Sequence, residues 1–192
     1  MKKFLLRIKQ LFFRDNIPEM IWGFRRNDGT VLNNVRISNT TFIGCREKLM
    51  LSDHIFVGHF NFIDSCNGIT IEEGCQISNY VSILTHSSHI PIRLYGNHYM
   101  KYSDHIGYLK GTVTIGKFTF IGPHTVIMPG TKLGKGTLVS AYSYVHGEYP
   151  DFAILSGNPA KMSGDTRSLD QKFLDQHPEL QVFYDEWSKD QK

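Results

Sequence analysis

A chain of 192 residues, 41% of them apolar, has the size of one ordinary domain with decorations and enough bulk to bury a core. Lys and Arg number 21 against 18 Asp and Glu, and the small surplus gathers near the N-terminus; this excludes the basic stripe of a nucleic-acid binder, so no nucleic acid is expected as a partner. No apolar run approaches the length of a bilayer span. The three cysteines, Cys45, Cys66 and Cys75, are odd in number and form no CxxC pair. They suggest neither a disulfide framework nor a zinc knuckle, and the expected location is a reducing cytoplasm.

Residues 1–30 read as an amphipathic helix and lead-in. "MKKFLLRIKQLFF" resembles the start of a signal peptide, but Arg7 and Lys9 interrupt its apolar stretch and no small-residue cleavage site follows, so export is not expected. Phe4, Leu5, Ile8, Leu11 and Phe12 fall on one helical face, with Lys2, Lys3, Arg7, Lys9 and Arg14 around the rest. Such a helix packs on its own domain or a neighbouring subunit. Alternatively, residues 1–14 rest on an anionic membrane, which would make the protein peripheral at the inner face of the cytoplasmic membrane.

Most of residues 31–150 follow a six-residue rhythm. Ile115, Ile121, Ile127, Leu133, Val139 and Val145 are all aliphatic, Thr119, Thr125, Thr131, Thr137 and Ser143 recur four places later, and Gly116, Gly122 and Gly134 take the second place. The same phase gives Val31, Ile37, Ile43, Leu49 and Ile55, and a shifted one Ile71, Ile77 and Ile83. A period of six is neither helical nor a simple strand alternation. It suits very short strands separated by turns, three to a triangular coil, with stacked coils burying an aliphatic column that no single hexad could bury alone.

The rhythm stops at "THSSHIP" and resumes after residue 112. An excursion of this length inside a solenoid is functional or disordered. Its many aromatic and aliphatic residues argue for order, and His86, His89, His98 and His105 lie in or beside it. Residues 165–192 leave the hexad and read as two short helices divided at Pro178, covering the open end of the coil.

"ITIEEGCQISNYVSI", "VTIGKFTFIGPHTVIMPGTKLGKGTLVSAYSYV" and "SGNPAKMSG" resemble the hexapeptide-repeat acyltransferases, over roughly residues 31–164. The layout is most similar to galactoside and maltose acetyltransferases and bacterial polysaccharide O-acetyltransferases. The resemblance implies an all-β, left-handed parallel β-helix with a protruding loop (89–112) and a helical C-terminal cap, assembled as a homotrimer with active sites between subunits. It implies acetyl-CoA as cosubstrate and no metal. The acceptor would be a sugar or a lipid-linked saccharide of surface polysaccharide, lipopolysaccharide or capsule assembly. In these enzymes the catalytic histidine sits where the repeat opens into the loop, a position that His89 or His86 fills. An imidazole there would take the proton from the acceptor hydroxyl. Asp104 and Glu148 are candidates to orient it.

By the same resemblance, His59, Asn61 and Asp64 of "GHFNFID" would hold the acceptor, with His59 standing where relatives carry asparagine. Gly122, Pro123, Ala141, Asn158, Pro159 and Lys161 would line the CoA path. His146 and Gly147 stand where relatives carry a Thr-Lys pair, which would leave the nucleotide to Lys161 and Arg167. An amino-sugar N-acetyltransferase or a xenobiotic acetyltransferase would use the same fold. A zinc enzyme of the carbonic-anhydrase-like β-helix type would use His54 and His59, but its third histidine should precede that pair, whereas His86 and His89 follow it. A catalytically inactive trimeric scaffold would bind neither CoA nor metal.

Overall fold

The computed structural model describes residues 17–189, in which short parallel strands stack into a three-sided coil. The first face carries Val31–Ser38, Phe56–Val57, Gln76–Ile77, Phe120–Ile121, Leu138–Val139 and Ala153–Gly157. The second carries Phe42–Gly44, Phe62–Asp64, Ser82–Ile83, Val126–Ile127 and Tyr144–Val145, and the third Leu49–Leu51, Ile69–Ile71, Val113–Ile115, Lys132–Leu133 and Glu148–Tyr149. Antiparallel strands finish the first face at both ends: Met20–Arg25 on Val31–Ser38, and Ala160–Asp165 on Ala153–Gly157. The amphipathic segment 1–14 lies outside the described residues.

The hexad explains the packing. Ile115, Ile121, Ile127, Leu133, Val139 and Val145 all point inward and are buried, as are Ile71, Ile77 and Ile83. The threonines are buried at corners, where their hydroxyls donate to turn carbonyls: Thr131 Oγ1 to Met128 O at 2.7 Å and Thr137 Oγ1 to Gly134 O at 2.7 Å. A hydroxyl there satisfies a buried acceptor that an alanine would leave unpaired. The small second place has a steric reason: a Cβ on Gly122 would stand 2.6 Å from Ala141 N of the next coil.

Two expectations are corrected in the first coils. Val31 is 51% exposed, because it belongs to the antiparallel pair with Arg25 and not to a coil. Leu49 and Ile55 are buried, and Leu49 aligns with Ile69, but the series that continues as Ile71 and Ile77 in the next coil runs through Leu51 and Val57. The corner from second to third face is two residues longer than a hexad in the first two coils, from Ile43 to Leu51 and from Ile63 to Ile71. In the third coil the whole excursion leaves from this corner, between Ile83 and Ile115.

A third correction concerns the cysteines. Cys45 and Cys66, at that corner of successive coils, form a disulfide with Cα atoms 4.9 Å apart, so composition misled on this point. Cys75 is free, and burial pushes its thiol up to about 12.

The C-terminal helices α2 (Thr166–Leu174) and α3 (Gln181–Ser188), numbered after α1 (Pro91–Tyr95) of the excursion, lie along the edge between third and first faces instead of across the end of the coil. Trp187 packs on Phe118 and Phe152, which turn that edge two coils apart with Gly136 between them, with ring centroids at 4.6 and 5.8 Å.

Candidate active site

The long corner between second and third faces places a carboxylate beside an imidazole. Asp64 ends the strand Phe62–Asp64 with its side chain only 7% exposed, and its Oδ2 lies 2.6 Å from His86 Nδ1. Thr85 donates to the same oxygen from Oγ1 at 3.2 Å and from its backbone N–H at 3.4 Å, while Cys66 N–H donates to Oδ1 at 3.3 Å. Four donors converge on one buried carboxylate.

His86 opens the excursion as an antiparallel ribbon, His86–Ser87 paired with Leu109–Lys110. Its ring lies nearly parallel to Tyr108, centroids 5.8 Å apart and planes at 10°. Burial, helped by Tyr99 and Asp64, raises the Tyr108 phenol above its usual value. With Nδ1 donating to Asp64, the neutral ring presents Nε2 as an acceptor, and the side chain is 40% exposed. A carboxylate-oriented, solvent-reaching imidazole is the geometry of a general base. Beyond Tyr108, the excursion forms an open hollow of about 310 Å³ lined by Tyr99, Ser103, Asp104, His105, Tyr108 and Lys110.

The other predicted residues fall elsewhere. His89 is exposed, and its Nδ1 pairs with Ser87 Oγ at 2.8 Å. Asp104 lines the loop hollow, and Glu148 pairs with Lys132 at 2.7 Å, so Asp64 orients the imidazole and neither of them does. His105 packs within the loop, its Nε2 2.8 Å from Tyr99 O. Asn61 is buried in its turn, donating to Gly58 O at 3.0 Å and accepting from Val81 N–H at 2.7 Å. His59 bonds Ser38 Oγ at 2.7 Å. His59 and Asn61 thus occupy the edge between first and second faces, and only Asp64 of the "GHFNFID" trio reaches His86. His54 lies at the third edge, so it does not converge with His59 within one chain.

The residues expected along CoA are likewise not at His86. Gly122, Pro123 and Ala141 turn the edge between first and second faces, where Tyr80, His124 and Tyr142 form a stacked column with centroids 4.9 and 4.7 Å apart. Gly122 is needed for coil packing whatever it binds. Asn158 and Pro159 form the exposed turn of the last hairpin, joined by a cis peptide bond, with Lys161 exposed beside them. Arg167 is engaged by Asp165, which leaves Lys161 as the cation of this turn that could meet a phosphate. His146 sits at the long corner, its carbonyl accepting from Tyr149 OH at 3.1 Å. This edge and turn lie on a different side of the same prism from His86.

Asp64 as the partner of His86 escaped sequence reasoning. The signal was the coil length: Phe42, Phe62 and Ser82 stand in register at intervals of 20 residues, so Asp64 lies beneath the start of the excursion.

The repeat and the three-sided coil are similar to those of hexapeptide-repeat acyltransferases: residues 112–147 match the family described as bacterial transferase hexapeptide (six repeats). Its left-handed form follows from that likeness. The dTDP-4-amino-4,6-dideoxy-D-glucose acyltransferase of Escherichia coli is 29% identical over 134 residues, 67% of each chain. WbbJ of Escherichia coli (strain K12), provisionally described as an O-acetyl transferase of lipopolysaccharide biosynthesis, is 28% identical over 153 residues, 71% of this chain and 72% of that one. YvoF of Bacillus subtilis (strain 168), provisionally described as an acetyltransferase, is 46% identical over 55 residues, so that match spans 29% of this chain and about a third (32%) of the relative. Among solved structures, AntD, an N-acyltransferase from Bacillus cereus in complex with dTDP and 3-hydroxybutyryl-CoA, shares the fold with a TM-score of 0.56 at 18% identity, covering 76% of this chain and 89% of that one. A galactoside acetyltransferase in complex with coenzyme A does so with a TM-score of 0.55 at 20% identity, covering 68% and 62%.

Proposed function

We propose that the chain is an acetyl-CoA-dependent O-acetyltransferase acting on a sugar hydroxyl, in the assembly of a surface polysaccharide, lipopolysaccharide or capsule. The observation that carries this reading is the Asp64–His86 pair, standing where the coil opens into its excursion. Acetyl-CoA supplies the thioester carbonyl. Asp64 holds the Nδ1–H tautomer of His86, so that Nε2 takes the proton of the acceptor hydroxyl as its oxygen bonds the acetyl carbon, and gives that proton to the CoA sulfur as the C–S bond breaks and CoA leaves as its thiol. Asp64 remains ionised and offsets the charge of the imidazolium that forms. Tyr108 fixes the plane of the ring from the other side. His86, and not His89, is therefore our choice of base.

The edge fit for CoA, with Ala141 and Lys161, lies away from His86 in one chain. A homotrimer resolves this separation, since a neighbouring copy can bring its first-to-second edge to the long corner. The likeness to amino-sugar acyltransferases supports a second reading, in which the same base serves an amine acceptor.

The test is acetyl-CoA consumption by the wild type, His86→Ala and His89→Ala with a panel of sugars and amino sugars, alongside CoA binding and trimer assembly. Loss of turnover in His86→Ala alone, with CoA affinity and trimer intact, is the expected result. Loss in His89→Ala alone would reassign the base, and a wild type that binds no CoA would overturn the reading.

A further inference from the structure

The segment that carries Asp64 is clamped from both sides. Towards the third coil, Asp64 meets Thr85 and His86, and Asn67 donates to Thr85 Oγ1 from its N–H at 3.0 Å and to Thr85 O from Nδ2 at 3.1 Å. Towards the first coil the tie is covalent: Cys66 is bonded to Cys45, which sits in a left-handed turn (φ 50°) ahead of the short helical turn Arg46–Lys48. Lys48 Nζ donates to Cys66 O at 2.8 Å, and Ser65 Oγ donates to Gly44 O at 2.5 Å. The amide of Cys66 is itself a ligand of the Asp64 carboxylate. One peptide unit thus links the disulfide to the group that orients the base.

We infer that the Cys45–Cys66 disulfide is a positioning element for the Asp64–His86 pair, and that its reduction by a dithiol lowers turnover by releasing Asp64. In the exchange a thiolate of the reductant attacks one sulfur, a mixed disulfide forms, and the second reductant thiolate displaces the protein thiol. The S–S bond breaks, two electrons and two protons pass from the dithiol to Cys45 and Cys66, and the reductant leaves as its disulfide. Both cysteines are partly exposed and open to such a reagent, whereas Cys75 is buried with its thiol held at about 12 and takes no part. Once the bond opens, the corner of the second coil loses its covalent hold on the first, and hydrogen bonds alone, Ser65 N–H to Gly44 O at 3.2 Å and the side-chain bonds of Lys48 and Ser65, keep Cys66 N–H against the carboxylate. A small displacement of an orienting group costs rate more than binding.

The experiment compares air-oxidised protein, protein reduced with dithiothreitol, and Cys45→Ser. Thiol titration of the denatured, air-oxidised wild type should find one free thiol, rising to three on reduction. The ¹⁵N shifts of the His86 ring should report a single Nδ1–H tautomer in the oxidised protein and a mixture in both other samples. The kinetic arm rests on the acyl-transfer reading: kcat should fall about tenfold with the acceptor KM nearly unchanged, and dithiothreitol should leave Cys45→Ser no slower. Three free thiols in the air-oxidised protein would overturn the inference. So would a tautomer signature identical in the oxidised and reduced forms, even if reduction lowered Tm, since that marks a merely structural bond. The thiol and ¹⁵N readouts need no acceptor. A redox-dependent tautomer in a protein that transfers no acetyl group would therefore sustain the coupling and remove the activity.

Discussion

Asp64→Asn is the sharpest single test of the site. The carboxylate receives Cys66 N–H, Thr85 N–H, Thr85 Oγ1 and His86 Nδ1 at 2.6–3.4 Å, all as an acceptor. An asparagine has the same shape but one acceptor oxygen, and its amide NH₂ must face donors in either orientation. If the NH₂ faces Cys66, a buried N–H loses its partner. If it faces His86, the ring is driven to the opposite tautomer and Nε2 can no longer accept a proton. A buried donor left opposed costs about 1–3 kcal/mol, which for a chain of this size lowers Tm by about 2–12 °C. Loss of the oriented base should lower kcat by about 10²–10³-fold, equivalent to about 3–4 kcal/mol of barrier. The assay is release of the CoA thiol under saturating acceptor, with Tm read on the same samples. A variant with kcat within about threefold of wild type would refute the role given to Asp64, because a general base is worth far more than that.

Other outcomes follow from the same geometry. Gly122→Ala should destabilise the coil by about 1–3 kcal/mol in urea titrations even without CoA, since its Cβ would meet Ala141 N at 2.6 Å. Cys75 should resist alkylation at pH 8 until the protein unfolds, because burial holds its thiol at about 12. Asp165 caps α2 by accepting from Arg167 N–H at 2.9 Å, so Asp165→Ala should cost about 1 kcal/mol of stability. Hydrogen bonding from the Arg167 side chain depresses the Asp165 carboxyl, so its contribution should be present above pH 4 and fade as pH falls through the depressed value; the wild-type advantage over Asp165→Ala should shrink there in thermal melts.

How far the sequence foretold this structure depends on what each feature repeats. The aliphatic column from Ile115 to Val145 was legible because burial at every sixth residue leaves a periodic trace. The threonines and glycines were legible for the same reason, although Gly122 answers first to the next coil's backbone. The corner insertions at 43–51 and 63–71 were not. Two extra residues keep Leu49 and Ile55 in the old phase, so the count ran on while the true register had moved to Leu51 and Val57. The Cys45–Cys66 bond and the Asp64–His86 pair were hidden by sequence distances of 21 and 22, which become neighbours only when the length of a coil is known. His86 and His89 were both visible as the place where the rhythm fails. Only the carboxylate beneath distinguishes them.

The excursion also bears on how such a chain changes its task. Gly111 N–H donates to Thr85 O at 3.0 Å, so the chain leaves and rejoins the coil one hydrogen bond apart, and the strands after it resume in register with those before it. What lies beyond the ribbon of His86–Ser87 and Leu109–Lys110 is therefore a detachable part: closing a longer or shorter loop alters the cost only logarithmically. Segments of quite different length and chemistry can be exchanged above His86 while the coil, the carboxylate and the opposite edges stay as they are.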